Sequence, residues 1–552
     1  MGNFWLKIPE EIPIFEFVVG VVRNPMFRQH LIGLLGFACI LIFIHKNKID
    51  SMKNKTLFLC VPALLGTPLL GSGVFGKKPV KASPSGRPNI LILLTDDQTF
   101  STVHAWGAEK IQTPNMDRLV RNGVSFTQTH VMGGFNGAIS QPSRAMLLTG
   151  RGLTDIHRNG GVIPATEKTF PEVFRENGYT TFATGKWHSD DASFNRSFST
   201  GANIFFGGMH PYGKNNELGH KHPFLHQYDS EGKYDRTNGK WVNSSDTFSS
   251  ELYADAAIEF LERAALDDKP FLMYVAFTSP HDPRNVLPDY GPKYDGAELL
   301  LPTNFLPQHP FDNGDLHERD ERLLPIPRIP EQVLAERAKY FGMVSEVDVQ
   351  IGCILDALEK SGRADNTIIV FTSDNGLCVG EHGLLGKQNL YEAAVRVPMV
   401  ICGPGIPKNT ERDAYCYLYD LYPTLCGFAG LPVPATVKGH SLEQTIRNPR
   451  VKKRDDILLM YINLQRAIKK DGYKLILYNV DGQRHPQLFD LKADPMEMTN
   501  LYDNPAYAAK RDELTALLYA RMKAVGDFCD PAKPDWGYPS KLDWKQVQQV
   551  NP

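Results

Sequence analysis

Cysteine is scarce in this sequence, with 8 in 552 residues and no CxxC pair. That density is too low for a disulfide-stapled scaffold. Cys353, Cys378, Cys402, Cys416, Cys426 and Cys529 are expected to be mostly buried free thiols, with one or two bridges open to an exported protein. An excess of charge is missing as well: 60 Lys and Arg stand against 62 Asp and Glu, a net charge of -2. Nothing in that balance attracts nucleic acid. Affinity for an anionic substrate must come from a local cluster of Lys, Arg, His and metal. The apolar run from Leu31 to Ile44 is shorter than the about 20 residues a membrane span requires. Internal repeats and low-complexity segments are absent. Gly71-Ser72-Gly73-Val74-Phe75-Gly76 fits the dinucleotide glycine pattern, but that pattern needs a helix starting on it. Pro79, Pro84 and Pro88 prevent one, which excludes an oxidoreductase of that kind.

What is present suits a globular protein with a sizeable core: 42% hydrophobic and 22% charged residues. Lys53 and Lys55 precede a second apolar run, Leu57 to Leu70, and the small residues Gly71, Ser72 and Gly73 follow. This is the anatomy of a secretory signal peptide, with translation starting at Met52. The expected organisation is an overcalled start or N-terminal anchor over 1–51, a signal peptide over 52–73 and a linker over 74–88. A main domain over 89–450 and a C-terminal subdomain over 451–552 follow. Export machinery is then a partner, and the destination is periplasmic, membrane-associated or extracellular.

Asn89 to Leu94 is a continuous apolar run ending in Thr95-Asp96-Asp97, the pattern of a buried parallel strand. Helices are predicted near Asn115 to Arg121 and Phe170 to Asn177, and strands near Thr180 to Thr184 and Phe271 to Phe277. A long amphipathic helix, Arg337 to Ser361, leads into the strand Thr367 to Phe371 and then Asp374-Asn375-Gly376. Strands alternating with helices imply an α/β fold with a large, mainly parallel central sheet flanked by helices. Arg466 to Lys470, Tyr473 to Tyr478, Gln487 to Asp490 and a helix from Pro505 to Val525 imply a smaller antiparallel C-terminal subdomain.

Ligand sites in such sheets gather at the carboxyl ends of strands. Asp96-Asp97 and Asp374-Asn375 sit at two such ends. Either pair alone reads as a turn or a cap. Together they offer three carboxylates and one amide, an all-oxygen set suited to Ca²⁺, with Gly376 expected to permit a tight turn. The decisive stretch is Ser140-Gln141-Pro142-Ser143-Arg144, running on to Thr149-Gly150-Arg151. It resembles, without a gap, the signature of the sulfatases of the alkaline phosphatase superfamily. Gly185-Lys186-Trp187-His188, Ser279-Pro280-His281-Asp282-Pro283 and Gly380 to Lys387 resemble further elements of that family in the same order. The resemblance covers roughly residues 88 to 530.

That resemblance implies one Ca²⁺ held by Asp96, Asp97, Asp374 and Asn375, with Ser140 completing the site. It implies conversion of Ser140 to formylglycine by a serine-type maturase, and catalytic roles for Arg144, Lys186, His188, His281 and Lys387. The hydrated aldehyde would attack sulfur, His281 would protonate the leaving alcohol, and His188 would act as base when sulfate is expelled. The substrate implied is a sulfated sugar or glycan, with galactose, galactosamine or glucosamine units as candidates. His210, Asp282 and Arg284 are candidate substrate residues, and His220, His222 and His226 stand near them in sequence. A phosphatase or phosphonate monoester hydrolase of the same superfamily is the alternative enzyme. A non-catalytic glycan-binding protein is the alternative if Ser140 is never modified.

Export predicts a mature N-terminus in the region from Ser72 to Ala82. N-terminal sequencing of exported protein checks this, and a mature chain still beginning at Met1 would contradict it.

Overall fold

The computed structural model describes residues 86–107, 110–213, 218–228, 239–242, 247–286 and 294–551. The expected N-terminal segment, signal peptide, glycine-pattern stretch and residues 74–85 of the linker lie outside them.

The chain enters on β1 (Asn89–Thr95) and passes through α1 (Pro114–Asn122) to β2 (Gly123–Phe126) and the short β3 (Gly133–Gly134). Then come α2 (Ser140–Thr149), α3 (Phe170–Glu176), β4 (Thr180–Lys186) and β5 (Thr200–Phe205). Next are α4 (Ser249–Ala264), β6 (Phe271–Ala276), α5 (Pro330–Lys360), β7 (Thr367–Ser373), β8 (Met399–Cys402) and β9 (Thr410–Arg412). All of these strands except β3 form one eight-stranded sheet in the order β9-β2-β8-β7-β1-β6-β4-β5. All neighbours run parallel except β8, which is antiparallel to both β7 and β2. The mainly parallel sheet expected from the sequence is therefore the one observed.

The apolar runs make this sheet because both faces are covered. Ile90, Ile92 and Leu94 pack on one side with Ala145, Met146 and Leu148 of α2. Leu91 and Leu93 pack on the other with Val344, Val347 and Ile351 of α5. The alternation along β1 is the two-residue period of a strand, and the α5 residues follow helical spacing. Helix α5 begins seven residues earlier than its apolar face suggests, at Pro330, which occupies the first turn. Proline is well placed there because its missing N–H would have no helical partner.

A second sheet joins β10 (Asp456–Tyr461), β11 (Gln465–Lys470), β12 (Tyr473–Val480) and β13 (Gln483–Asp490) as an antiparallel meander, with α6 (Ala508–Ala524) against it. Its far edge is β3, parallel to β10, with Met460 opposite Gly133. Gly133 has φ +111°, and a β-carbon there would meet the Met460 carbonyl oxygen at 1.9 Å. This sheet thus takes its last strand from the segment just before α2. None of the six described cysteines is in a disulfide, and all but Cys353 are buried.

Glu346 of α5 is 1% exposed, beside Ser250 and Gln350. Burial raises its pKa to about 8, only partly opposed by Ser250. The folded chain then keeps a proton that the unfolded chain loses above its ordinary value of 4.5, so stability falls as pH rises from there towards 8. Glu346→Gln should remove this slope. Its stability relative to the parent should rise between pH 5 and pH 8.5 by on the order of a few kcal/mol. Urea unfolding at the two pH values checks it, and an unchanged difference would contradict it.

Candidate active site

Strands β1 and β7 pair in parallel with Thr95 opposite Ser373. Their next residues, Asp96-Asp97 and Asp374-Asn375, therefore emerge side by side at the carboxyl edge of the sheet. All four are buried, at 0–2% exposure. Asp97 takes φ +67°, a left-handed conformation uncommon for a residue with a side chain. Its carbonyl is held by the Tyr340 hydroxyl at 2.7 Å, and its N–H donates to Asp374 Oδ1 at 3.1 Å. Gly376 serves otherwise than expected. It is needed for close packing, since a β-carbon would lie 2.2 Å from the Ala393 carbonyl oxygen, and not for a positive φ.

Helix α2 begins at Ser140 and aims its N-terminus at these groups. Ser140 Oγ lies 3.1 Å from both Asp96 Oδ1 and Asn375 Oδ1, and Lys387 Nζ donates to it at 3.2 Å. One turn on, Arg144 reaches Asp374 Oδ2 through Nε at 2.8 Å and the Lys186 carbonyl through a terminal nitrogen at 2.9 Å. Lys186 is the last residue of β4, and its Nζ lies 2.6 Å from Asp96 Oδ2. Lys387 Nζ lies 2.6 Å from Asp97 Oδ1. His281 Nδ1 donates to the Asp282 carbonyl at 2.7 Å, which leaves Nε2 facing Asp97 Oδ2 at 3.6 Å. Asp96, Asp97 and His281 have ligand atoms within 4.8 Å of one another.

The charges shift one another's proton affinities. Burial alone would raise Asp96, but Lys186, His281, Arg144 and Lys387 hold it well below the usual carboxylate range. Asp374 is pushed up to about 6, by burial first and then by the Asp96 charge. Burial disfavours charge on His281, yet Asp97, Asp282 and Asp96 outweigh that and raise it. His188 moves the other way: burial, then the positive charges of Lys186 and Arg144, lower it well below the ordinary value. The two histidines are thus divided into a proton holder and a neutral acceptor. His188 also takes φ +67°, and Gly208 lets its ring approach, since a β-carbon there would lie 3.0 Å from Nε2.

A cavity of about 370 Å³ opens above Ser140, lined also by His188, Gly208, Met209, His281, Lys387, Gln388, Asn136 and the run Glu318-Arg319-Asp320. Arg144, Lys186 and the acidic pairs lie beneath it. The loop around His210 reaches the wall through Gly208 and Met209, whereas His210 itself is buried and bonds the Thr278 hydroxyl at 3.1 Å. Asp282 is bound by Arg319 and by the Tyr212 hydroxyl. Arg284 pairs with Glu336 at 3.0 Å and lines a separate cleft. His220 is an internal brace on the His281 carbonyl at 2.9 Å, His226 packs beside Phe206, and His222 is half-buried. The 318–320 run, Gln388 and Asn136 carry no motif that would have marked them.

Three carboxylates, an amide oxygen and a hydroxyl converging among buried cations are the equipment of a hydrolase for an anionic ester. The Sulfatase family profile matches residues 88–431, and one described as N-sulphoglucosamine sulphohydrolase, C-terminal, matches residues 380–524. The chain belongs to the sulfatase family and is a sulfuric ester hydrolase. The N-acetylglucosamine-6-O-sulfatase of Bacteroides thetaiotaomicron is 28% identical over 561 residues, covering 88% of this chain and 94% of its own. A solved structure of a protein in complex with its substrate D-glucosamine-2-N,6-O-disulfate is 26% identical. It has a TM-score of 0.65 and covers 82% of this chain and 100% of its own. The phosphonate monoester hydrolase of Agrobacterium radiobacter shares the fold, at 23% identity and a TM-score of 0.63 over 80% of this chain and 96% of its own.

Removing Arg144 would leave Asp374 buried without its direct cation. Arg144→Met is expected to lower unfolding free energy by about 3–5 kcal/mol, read from urea melts. A loss under about 1 kcal/mol would mean that Lys186 compensates the carboxylate unaided.

Proposed function

We propose that this sulfatase removes sulfate from a sulfated glycan sugar, with galactose, galactosamine or glucosamine units as candidates, using one Ca²⁺ and a formylglycine made from Ser140. The observation that carries the reading is the position of Ser140, at a helix N-terminus and within 3.2 Å of Asp96, Asn375 and Lys387. The named activity of the N-acetylglucosamine-6-O-sulfatase relative and the glucosamine disulfate bound in the solved neighbour support a sugar substrate.

The donor set fits a hard divalent cation. Asp96, Asp97, Asp374 and Asn375 are buried and offer oxygen only, and a divalent cation would offset both the burial and the Asp96 charge that push Asp374 up. Calcium there would supply Lewis acidity towards sulfate oxygens. Formylglycine at position 140 would supply, as its hydrate, a nucleophilic hydroxyl and a second hydroxyl able to lose a proton.

The chain's own groups do the rest. Lys387 bridges Asp97 and the residue 140 side chain, so it adds positive charge where the nucleophile sits. Arg144 and Lys186 hold the carboxylates from below. His281, fixed through Nδ1, keeps its proton and presents Nε2 to the cavity for the leaving alcohol. His188 stays neutral and takes the proton whose loss expels sulfate. A serine-type maturase is the required partner for Ser140, and export, with the periplasm as destination, agrees with the N-terminal composition.

The experiment pairs the peptide mass at residue 140 with sulfate release from the same sample. Protein with unmodified Ser140, or Ser140→Ala, should bind sulfated substrate with little turnover. Turnover by either at the rate of modified protein would overturn the mechanism.

A further inference from the structure

The cavity is electrically two-layered. Its floor is weakly cationic, since Lys387, His281 and, beneath them, Lys186 and Arg144 stand against the three carboxylates of Asp96, Asp97 and Asp374. Its rim is not. Among the described residues of the rim Arg319 is the one cation, and it is spent: its guanidinium forks onto Asp282, with one nitrogen at 3.0 Å from Oδ1, and also contacts Asp320. Lys541, from the C-terminal segment, lies 2.5 Å from Glu318 Oε1 but also bonds Asp315. Two carboxylates on the rim, Glu318 and Asp320, and two behind it, Asp282 and Asp315, therefore share Arg319 and Lys541, with His281 of the floor also beside Asp282.

Glu318 is the outermost of these. Its side chain is 35% exposed. Its Oε2 lies 3.5 Å from the position a β-carbon on Gly137 would take, three residues before Ser140. Gln388 locks this rim to the nucleophile loop by donating to Asp320 Oδ2 and to the Gly137 carbonyl, both at 2.9 Å. Swinging Glu318 away from the entrance would break its contact with Lys541. Burial would raise its pKa, but Lys541 more than offsets this, so the carboxyl is ionised at neutral pH.

We infer that Glu318 is a specificity-determining residue that selects sugars carrying a single anionic group. The scissile sulfate descends to the floor. The ring positions left at the rim meet an anionic acceptor that favours hydroxyl or acylamino N–H donors. A second sulfate or a carboxylate at those positions is repelled. This rests on the sugar-sulfatase reading above and narrows it to monosulfated hexoses and N-acylated hexosamines. A like charge a few ångström from a part-exposed carboxylate is worth about tenfold or more in affinity.

The test uses protein shown by mass to be modified at residue 140. Matched monosulfated and disulfated pairs of galactose, N-acetylgalactosamine and glucosamine sugars are compared by kcat/KM. The monosulfated member should be favoured by about tenfold or more, chiefly through KM, and raising ionic strength should narrow the gap. Glu318→Gln keeps the shape and should bring the ratio towards one by improving the disulfated member. Equal or reversed preference in the parent enzyme overturns the inference, and this arm needs no variant to fold. An unchanged ratio in a folded Glu318→Gln enzyme also overturns it. Turnover of an aryl sulfate with none of any sugar sulfate overturns the sugar reading itself, and this inference with it.

Discussion

Charge buried at the end of a parallel sheet is unfavourable unless each group finds an opposite partner within a few ångström. Asp96, Asp97 and Asp374 are met by Lys186, Lys387 and Arg144, each pair at 2.6–2.8 Å and each side chain at most 4% exposed. Much of the architecture follows from supplying those partners. Strands β1 and β7 must be adjacent and in register to bring the acidic pairs together. Strand β4 must end where Lys186 can reach Asp96, and α2 must start where Arg144 can reach Asp374.

The same arrangement leaves little tolerance in the backbone. Left-handed conformations at Asp97 and His188 are held by surrounding contacts rather than by local preference. Close approach at Gly376, Gly208 and Gly133 leaves no room for a side chain. The small C-terminal sheet belongs to this economy. By accepting Gly133–Gly134 as an edge strand, it anchors the segment that delivers Ser140.

The histidines show how one cluster can set opposite proton affinities. His281 faces Asp97 and Asp282, while His188 faces Lys186 and Arg144. Burial acts on both in the same direction, so the sign of the neighbours decides the outcome. An acid and a base can then coexist in one cavity at one pH.

The sequence by itself marked β1, β4, β6 and β7 of the central sheet, two of them closed by acidic pairs, but not β2, β5, β8 or β9. It also marked Ser140, Arg144, Lys186, His188, His281 and Lys387 as candidates, through local motifs that resemble those of sulfatases, and the fold gathers them in and beneath one cavity. Tertiary structure alone decided the rest. Glu318, Arg319 and Asp320 reach the rim only because the chain before α5 folds over the entrance, where Gln388 holds Asp320, and no periodicity announces that. His210 was a candidate substrate residue by sequence, but packing put Gly208 and Met209 on the cavity wall and turned His210 into the core. Gly376 was legible as a required glycine, yet its reason, the Ala393 carbonyl, lies 17 residues away in sequence. Motifs record what a residue must do to its substrate. Which neighbours it meets is settled when distant segments compete for the same buried space.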